Sequence, residues 1–209
     1  MQNLAIHETR PDENLVLLSK DIDAFECYAN THAARIAAVS DAIAKSFHLS
    51  SHDRQILREA ALIHDVGEMV MDRSYISAGR DLTVYEREDL HRHPVIGEQE
   101  AAKLGVSRGT QLLVRWHHEW WDGSGYPDAI SGDRIPLAAR ILRAADTYCA
   151  LTDSRPHRKA FSAQHARKYL AEWAGIELDP KVVRALLRLE DLPELNSFTE
   201  DSGPEAAQL

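Results

Sequence analysis

Histidine and aspartate, which ligate transition metals through nitrogen and oxygen, recur in this sequence at positions that an amphipathic helix would turn inward. His32 shares a stripe with Ile36, Val39 and Ile43, and His64 continues the stripe of Leu57, Ala60 and Ala61. His117 and His118 each follow an apolar residue by one helical turn, Leu113 and Val114, and Asp146 follows Leu142 in the same way. Five potential ligands thus face the core from four helical segments. His7, His48, His52 and His165 lie off such stripes and read as surface residues.

One inward histidine is more often a hydrogen-bonded core residue than a ligand, but that bland reading weakens with each addition. A buried carboxylate needs a cation or strong donors, because an unpaired one is too costly to desolvate, and both Asp65 and Asp146 fall on the core side. A metal supplies what both require, and helical bundles build such sites from facing helices. Neighbours on a helix diverge by about 100°, so in the pair His64-Asp65 the imidazole can hold one ion while the carboxylate reaches a second. His93 precedes Pro94, a favoured residue at a helix start, which leaves its ring free to turn toward the site or to act as a surface cap. The two cysteines, Cys27 and Cys149, form no zinc-binding spacing, so any metal rests on nitrogen and oxygen.

The elements that must position these residues are helices. Apolar residues recur at helical spacing over 21–47, 53–66, 84–104, 108–119, 136–151, 162–174 and 179–189, with Gly and Pro punctuating the intervals and no strand alternation. The expectation is a compact all-α bundle with a metal centre in its core. At 209 residues and 44% hydrophobic content the chain has room for a single domain, expected at 21–190, with an N-terminal extension over 1–20 and an acidic, flexible tail over 191–209. The longest apolar run near these motifs, 141–151, is broken by Arg143 and Asp146, so no membrane insertion is expected. The charged N-terminus does not resemble an export signal, and a cytoplasmic setting follows. A formal net charge of -9 argues against binding a nucleic-acid polymer through a basic surface.

In order along the chain, the following motifs resemble HD-GYP domains: His32; His64-Asp65 within LREAALIHDVGE; His91-Arg92-His93-Pro94; His117-His118-Glu119 leading to Gly125-Tyr126-Pro127; and Arg140 through Asp146 to Arg155-Pro156. The match runs from about residue 25 to 190. The resemblance implies an HD-superfamily helical core and hydrolysis of cyclic di-GMP, to linear pGpG or on to GMP, by a metal-bridging hydroxide. By position it implies His32, His64, Asp65 and Asp146 as ligands of one metal and Asp65, His93, His117 and His118 as ligands of another. Iron or manganese is implied, while the donor set would also suit nickel or zinc. Arg155 and Arg158 match positions of phosphate-binding cations, although a solvated basic turn explains Arg158 equally well. The Gly125-Tyr126-Pro127 loop implies a pocket rim and contact with GGDEF-type signalling proteins; an ordinary tight turn is its alternative.

Three positions depart from the family pattern. Glu68 stands where the family has a lysine near the substrate phosphate, Tyr28 where trinuclear members have a glutamate, and Cys149 where many have an aspartate. Tyr28 implies that a third metal lacks an oxygen ligand, hence two metals. Glu68 and Cys149 keep a second function open, a catalytically impaired module that binds cyclic di-GMP or protein partners. A third is hydrolysis of another cyclic nucleotide or phosphoester.

Overall fold

The computed structural model describes residues 11–28, 31–154 and 159–189, and within them the chain is helical. Helices α1 (Pro11–Phe25), α2 (His32–Ser46), α3 (Ser51–Ile63), α4 (Val66–Met71), α5 (Val84–Leu90), α6 (His93–Lys103), α7 (Arg108–Trp116), α8 (Leu137–Thr152), α9 (Ala163–Glu172) and α10 (Pro180–Arg188) follow in order. Among the described residues there is no strand, only an isolated bridge between Ala174 and Leu178.

Helix α8 is the axis of the bundle. Its Ala139, Ile141, Leu142, Ala144, Ala145, Tyr148 and Cys149 are all buried, so nearly every face meets protein. Alanines let its neighbours approach closely, and α2, α3, α7, α9 and α10 all pack on it. Helix α2 offers Ile36, Val39 and Ile43 to the same core, each fully buried and worth about 1.5–3 kcal/mol. On the other side of the site, α4 and α7 both pack against α6.

Helix ends are set by short polar side chains. Ser50, Ser107 and Ser162 accept from the backbone N–H groups of Asp53, Thr110 and His165, and Thr83 forms a capping box with Glu86. Helix α2 is capped from afar, since Ala33 N donates to Asp23 Oδ1 at 3.1 Å.

Several expected boundaries are revised. The segment expected over 21–47 is interrupted between α1 and α2, where Cys27 adopts φ 63° and Tyr28 N donates to Asp23 O. Helix α1 begins at Pro11 and carries Leu15, Ser19 and Ile22 on its buried side, so structure reaches into the expected extension. The segment expected over 84–104 is two helices, α5 and α6, and α4 is an additional short one.

Candidate metal centre

The residues that converge at the centre sit largely at helix ends, where side chains from different helices can meet. His64 caps α3 at its C-terminus, Asp65 precedes α4, His93 opens α6 and His117 caps α7. Each of these three histidines also satisfies a carbonyl that a terminating helix leaves free. Nδ1 lies 3.0 Å from Ala61 O for His64, 2.8 Å from Leu90 O for His93 and 2.7 Å from Val114 O for His117. A carbonyl only accepts, so Nδ1 carries the proton and Nε2 keeps its lone pair. His32 follows the same logic with a carboxylate, its Nδ1 lying 2.6 Å from Asp153 Oδ2.

Four Nε2 lone pairs are therefore aimed away from the backbone and toward carboxylates. Asp65 Oδ2 is 3.0 Å from His64 Nε2, while its Oδ1 is 3.2 Å from His93 Nε2 and 3.3 Å from His117 Nε2. His93 and His117 face each other Nε2 to Nε2 at 3.3 Å, and His32 Nε2 lies 3.8 Å from Asp146 Oδ1. The result is two groups whose ligand atoms lie within 4.8 Å of one another, Asp65 with His93, His117 and His118, and His32 with His64 and Asp146. His64 Nε2 and Asp65 Oδ1 are buried without a hydrogen bond, and lone pairs that converge in this way fit cations between them.

The charges respond to this crowding. Burial works against ionisation of Asp65, yet the neighbouring His64, with His117 and His93 close by, holds its carboxyl well below the usual range. Burial pushes Glu68 up to about 8, with the negative charge of Asp65 adding to the effect. Burial, then His117 and Arg143, depresses His118.

Two glycines make the convergence possible. A Cβ on Gly67 would stand 2.1 Å from His93 O, so only glycine lets α4 meet α6 here. A Cβ on Gly125 would stand 2.2 Å from Trp120 N, which fixes the 125–127 loop against the chain following α7. Tyr126 stacks on His118 and His91 at ring separations of 4.8 and 4.0 Å, and buried Glu119 accepts the N–H groups of Asp128 and Ile130.

A cavity of about 820 Å³ opens onto the centre and is lined by Asp65, Glu68, His93, His118, Tyr126, Arg143 and Asp146 among others, a size suited to a small-molecule ligand. Arg155 and Arg158 lie outside the described residues. The structure bears on the expectation that Tyr28 leaves a third ion without an oxygen ligand. Tyr28 stacks on the His32 ring at 3.7 Å, while Glu26, Asp65 and Glu68 form a third group of converging carboxylates. Cys149 is a packing residue, fully buried in α8. Glu26, Arg143, Asp153 and Glu177 were not singled out from the sequence. Of these, Arg143 had a signal, a charge one turn from Asp146 in the most apolar run.

Against known proteins, the HD domain family matches residues 22–182. The chain is 34% identical over 184 residues to the cyclic di-GMP phosphodiesterase response regulator RpfG of Xanthomonas campestris pv. campestris, covering 87% of this chain and 48% of that protein. It is 33% identical over 173 residues to the 3'3'-cGAMP-specific phosphodiesterase 3 of Vibrio cholerae, covering 83% of this chain and 38% of that one. The chain thus spans about half or less of the length of these relatives. The fold is similar to the crystal structure of a cyclic GMP-AMP phosphodiesterase of V. cholerae, with a TM-score of 0.69 and 19% identity over 85% of this chain and 48% of that one. It also resembles an HD-GYP-type protein of Bdellovibrio bacteriovorus, with a TM-score of 0.63 and 15% identity over 84% of this chain and 60% of that one.

Proposed function

This chain belongs to the HD domain family, in its HD-GYP branch, and from that premise we propose that it is a metal-dependent phosphodiesterase that hydrolyses cyclic di-GMP to linear pGpG or GMP. The observation that carries the reading is the set of four imidazoles whose Nδ1 protons are engaged and whose Nε2 lone pairs converge on Asp65 and Asp146. Such an arrangement fits two divalent transition metals, held by His32, His64, Asp65 and Asp146 and by Asp65, His93, His117 and His118. Iron or manganese is favoured, and nickel or zinc would suit the same donors. When bound, the cations supply Lewis acidity, acidifying the attacking water and offsetting charge on the phosphorus oxygens.

The chain's own residues hold this chemistry in place. Backbone carbonyls and Asp153 orient the rings, Asp65 spans both groups, and burial keeps bulk water from screening the charges. Tyr126, itself stacked on His118 and His91, forms part of the rim. Contact with GGDEF-type proteins through Gly125-Tyr126-Pro127 belongs to the same proposal, as does a cytoplasmic setting. That setting suits two free cysteines, and no helix among the described residues is long and apolar enough to cross a membrane.

A second reading, hydrolysis of 3'3'-cyclic GMP-AMP, is favoured by the relatives named for that substrate. Turnover of both dinucleotides with added manganese or ferrous iron tests the proposal. Hydrolysis of cyclic di-GMP is expected. Hydrolysis of the mixed dinucleotide alone selects the second reading, and binding without turnover of either selects a non-catalytic signalling module.

A further inference from the structure

Among the described residues, the cavity at the metal centre is poor in positive charge for a site that would hold a phosphodiester. Its lining includes the carboxylates of Glu26, Asp65, Glu68, Asp81 and Asp146 against the guanidiniums of Arg80 and Arg143. Arg80 is tied to Glu86 through two hydrogen bonds of 2.6 and 2.8 Å and is half exposed. Glu68 occupies the position at which the family carries a phosphate-facing lysine. Among the described residues, the cation left to face the ligand groups comes from another element.

Arg143 on α8 is held for that task. Its side chain is only 15% exposed, and Nη2 is anchored by Glu177, 2.7 Å away and itself buried. Thr147, one turn along α8, donates to the same Glu177 oxygen at 2.9 Å, so the anchor is fixed in turn. Nη1 reaches 2.9 Å from His118 Nδ1 and 3.3 Å from Asp146 Oδ2, one residue from each ligand group. A guanidinium only donates, so it occupies lone pairs that divalent cations would claim on loading. Nε is buried with no hydrogen bond. Were cations to take His118 and Asp146, Nη1 would be released while Nη2 kept its anchor on Glu177, leaving Arg143 to donate into the cavity it lines.

We propose that Arg143 is a phosphate-binding residue of this site, supplying from α8 the positive charge that the family's lysine supplies at position 68. The inference rests on the phosphodiesterase reading, and it adds that the charge has moved from one wall of the cavity to another.

The test uses the full chain at metal contents matched by elemental analysis, with cyclic di-GMP and the simple diester bis(4-nitrophenyl) phosphate as probes. Arg143→Gln is expected to raise KM for both by about tenfold or more, the loss of a charge-assisted contact. Adding Glu68→Lys to Arg143→Gln should lower KM by more than the same change lowers it in the wild type, because only there does the site lack its other cation. A residue that merely supported His118 and Asp146 would lower metal content and would gain no more from Glu68→Lys than the wild type does. Unchanged KM in metal-matched Arg143→Gln, or a gain from Glu68→Lys no larger than in the wild type, overturns the proposal. Should Arg143→Gln not fold, Arg143→Lys decides, with KM expected to rise by less than tenfold at full metal content and an unchanged KM overturning the proposal. Wild-type protein that hydrolyses the simple diester but no dinucleotide refutes the substrate reading and leaves Arg143 to be judged on the simple diester. Protein that hydrolyses neither refutes both.

Discussion

Asp65 has two oxygens in contact with different histidines, Oδ2 with His64 and Oδ1 with His93 and His117, and this division makes it the residue on which both ligand groups depend. Asp65→Asn replaces one oxygen with a donor that cannot bind a cation, so metal content should fall from roughly two ions per chain to near zero, with affinity lost on the order of 100-fold. His93→Ala removes a ligand from one group only and should leave the other ion in place. Elemental analysis of both variants checks the assignment, and equal loss in the two would contradict it. Glu68 presents a different case, because it faces the cavity near Asp65 and His93 with its carboxyl pushed up to about 8 by burial. At an effective dielectric of about 20, unit charges a few ångströms apart interact by a few kcal/mol. Placing a positive charge there with Glu68→Lys should therefore raise kcat/KM for cyclic di-GMP by about tenfold, chiefly through KM. A fall in kcat/KM at matched metal occupancy would instead make Glu68 a working ligand of the carboxylate group it forms with Glu26.

Helices and loops carry these residues, and their legibility in the sequence was uneven for physical reasons. Helices α7 through α10 follow from apolar periodicity and serine, proline or aspartate at their starts. The break after α1 did not, since Cys27 takes a left-handed conformation with no glycine or proline to mark it. Helix α1 was hidden by Ser19, a buried polar residue that satisfies itself on Val16 O and interrupts the apolar stripe of Leu15 and Ile22. The seven converging histidines and aspartates could be singled out by residue type and helical face. Their supports could not, because Asp153 meets His32 and Glu177 meets Arg143 only across the folded chain. The loop after α7 gives an element-scale prediction. Asp128 takes two hydrogen bonds from Arg115, of 2.7 and 2.6 Å, and one from Trp116, which hold its carboxyl below the usual range. A depressed folded pKa means stability that is present above the unfolded value of about 3.9 and lost as pH falls through the folded one. Asp128→Asn should cost about 1 kcal/mol from pH 5 to 8, allowing for partial exposure, and progressively less below about pH 4. Urea unfolding across that range measures it, and a difference that persists at low pH would assign the effect to packing.

At the scale of the whole molecule, the metal centre and the fold are one thermodynamic system. Helices α2, α3, α6, α7 and α8 and the start of α4 all contribute ligands to it. Without cations, Asp65 and Asp146 crowd into the interior with histidines whose tendencies conflict, since burial depresses His117 while Asp65, against the effect of burial, raises His64 and His93, and part of the folding free energy is spent on that arrangement. An ion that binds the folded chain and not the unfolded one restores it by RT ln(1 + [L]/Kd), about 2.7 kcal/mol at a hundredfold excess over Kd. For a domain of this size that corresponds to roughly 5–10 °C in melting temperature per ion. Chelation should therefore lower the melting temperature by about that amount for each ion removed, and manganese or ferrous iron should return it. Metal titration followed by elemental analysis should saturate at about two ions, one for each histidine-containing group. A reproducible third ion would place a cation among Glu26, Asp65 and Glu68, and its loss in Glu26→Gln without loss of the other two would locate it there. Full metal binding with no change in melting temperature would show that the buried ligands are already satisfied by protein alone and that their converging lone pairs do not call for cations.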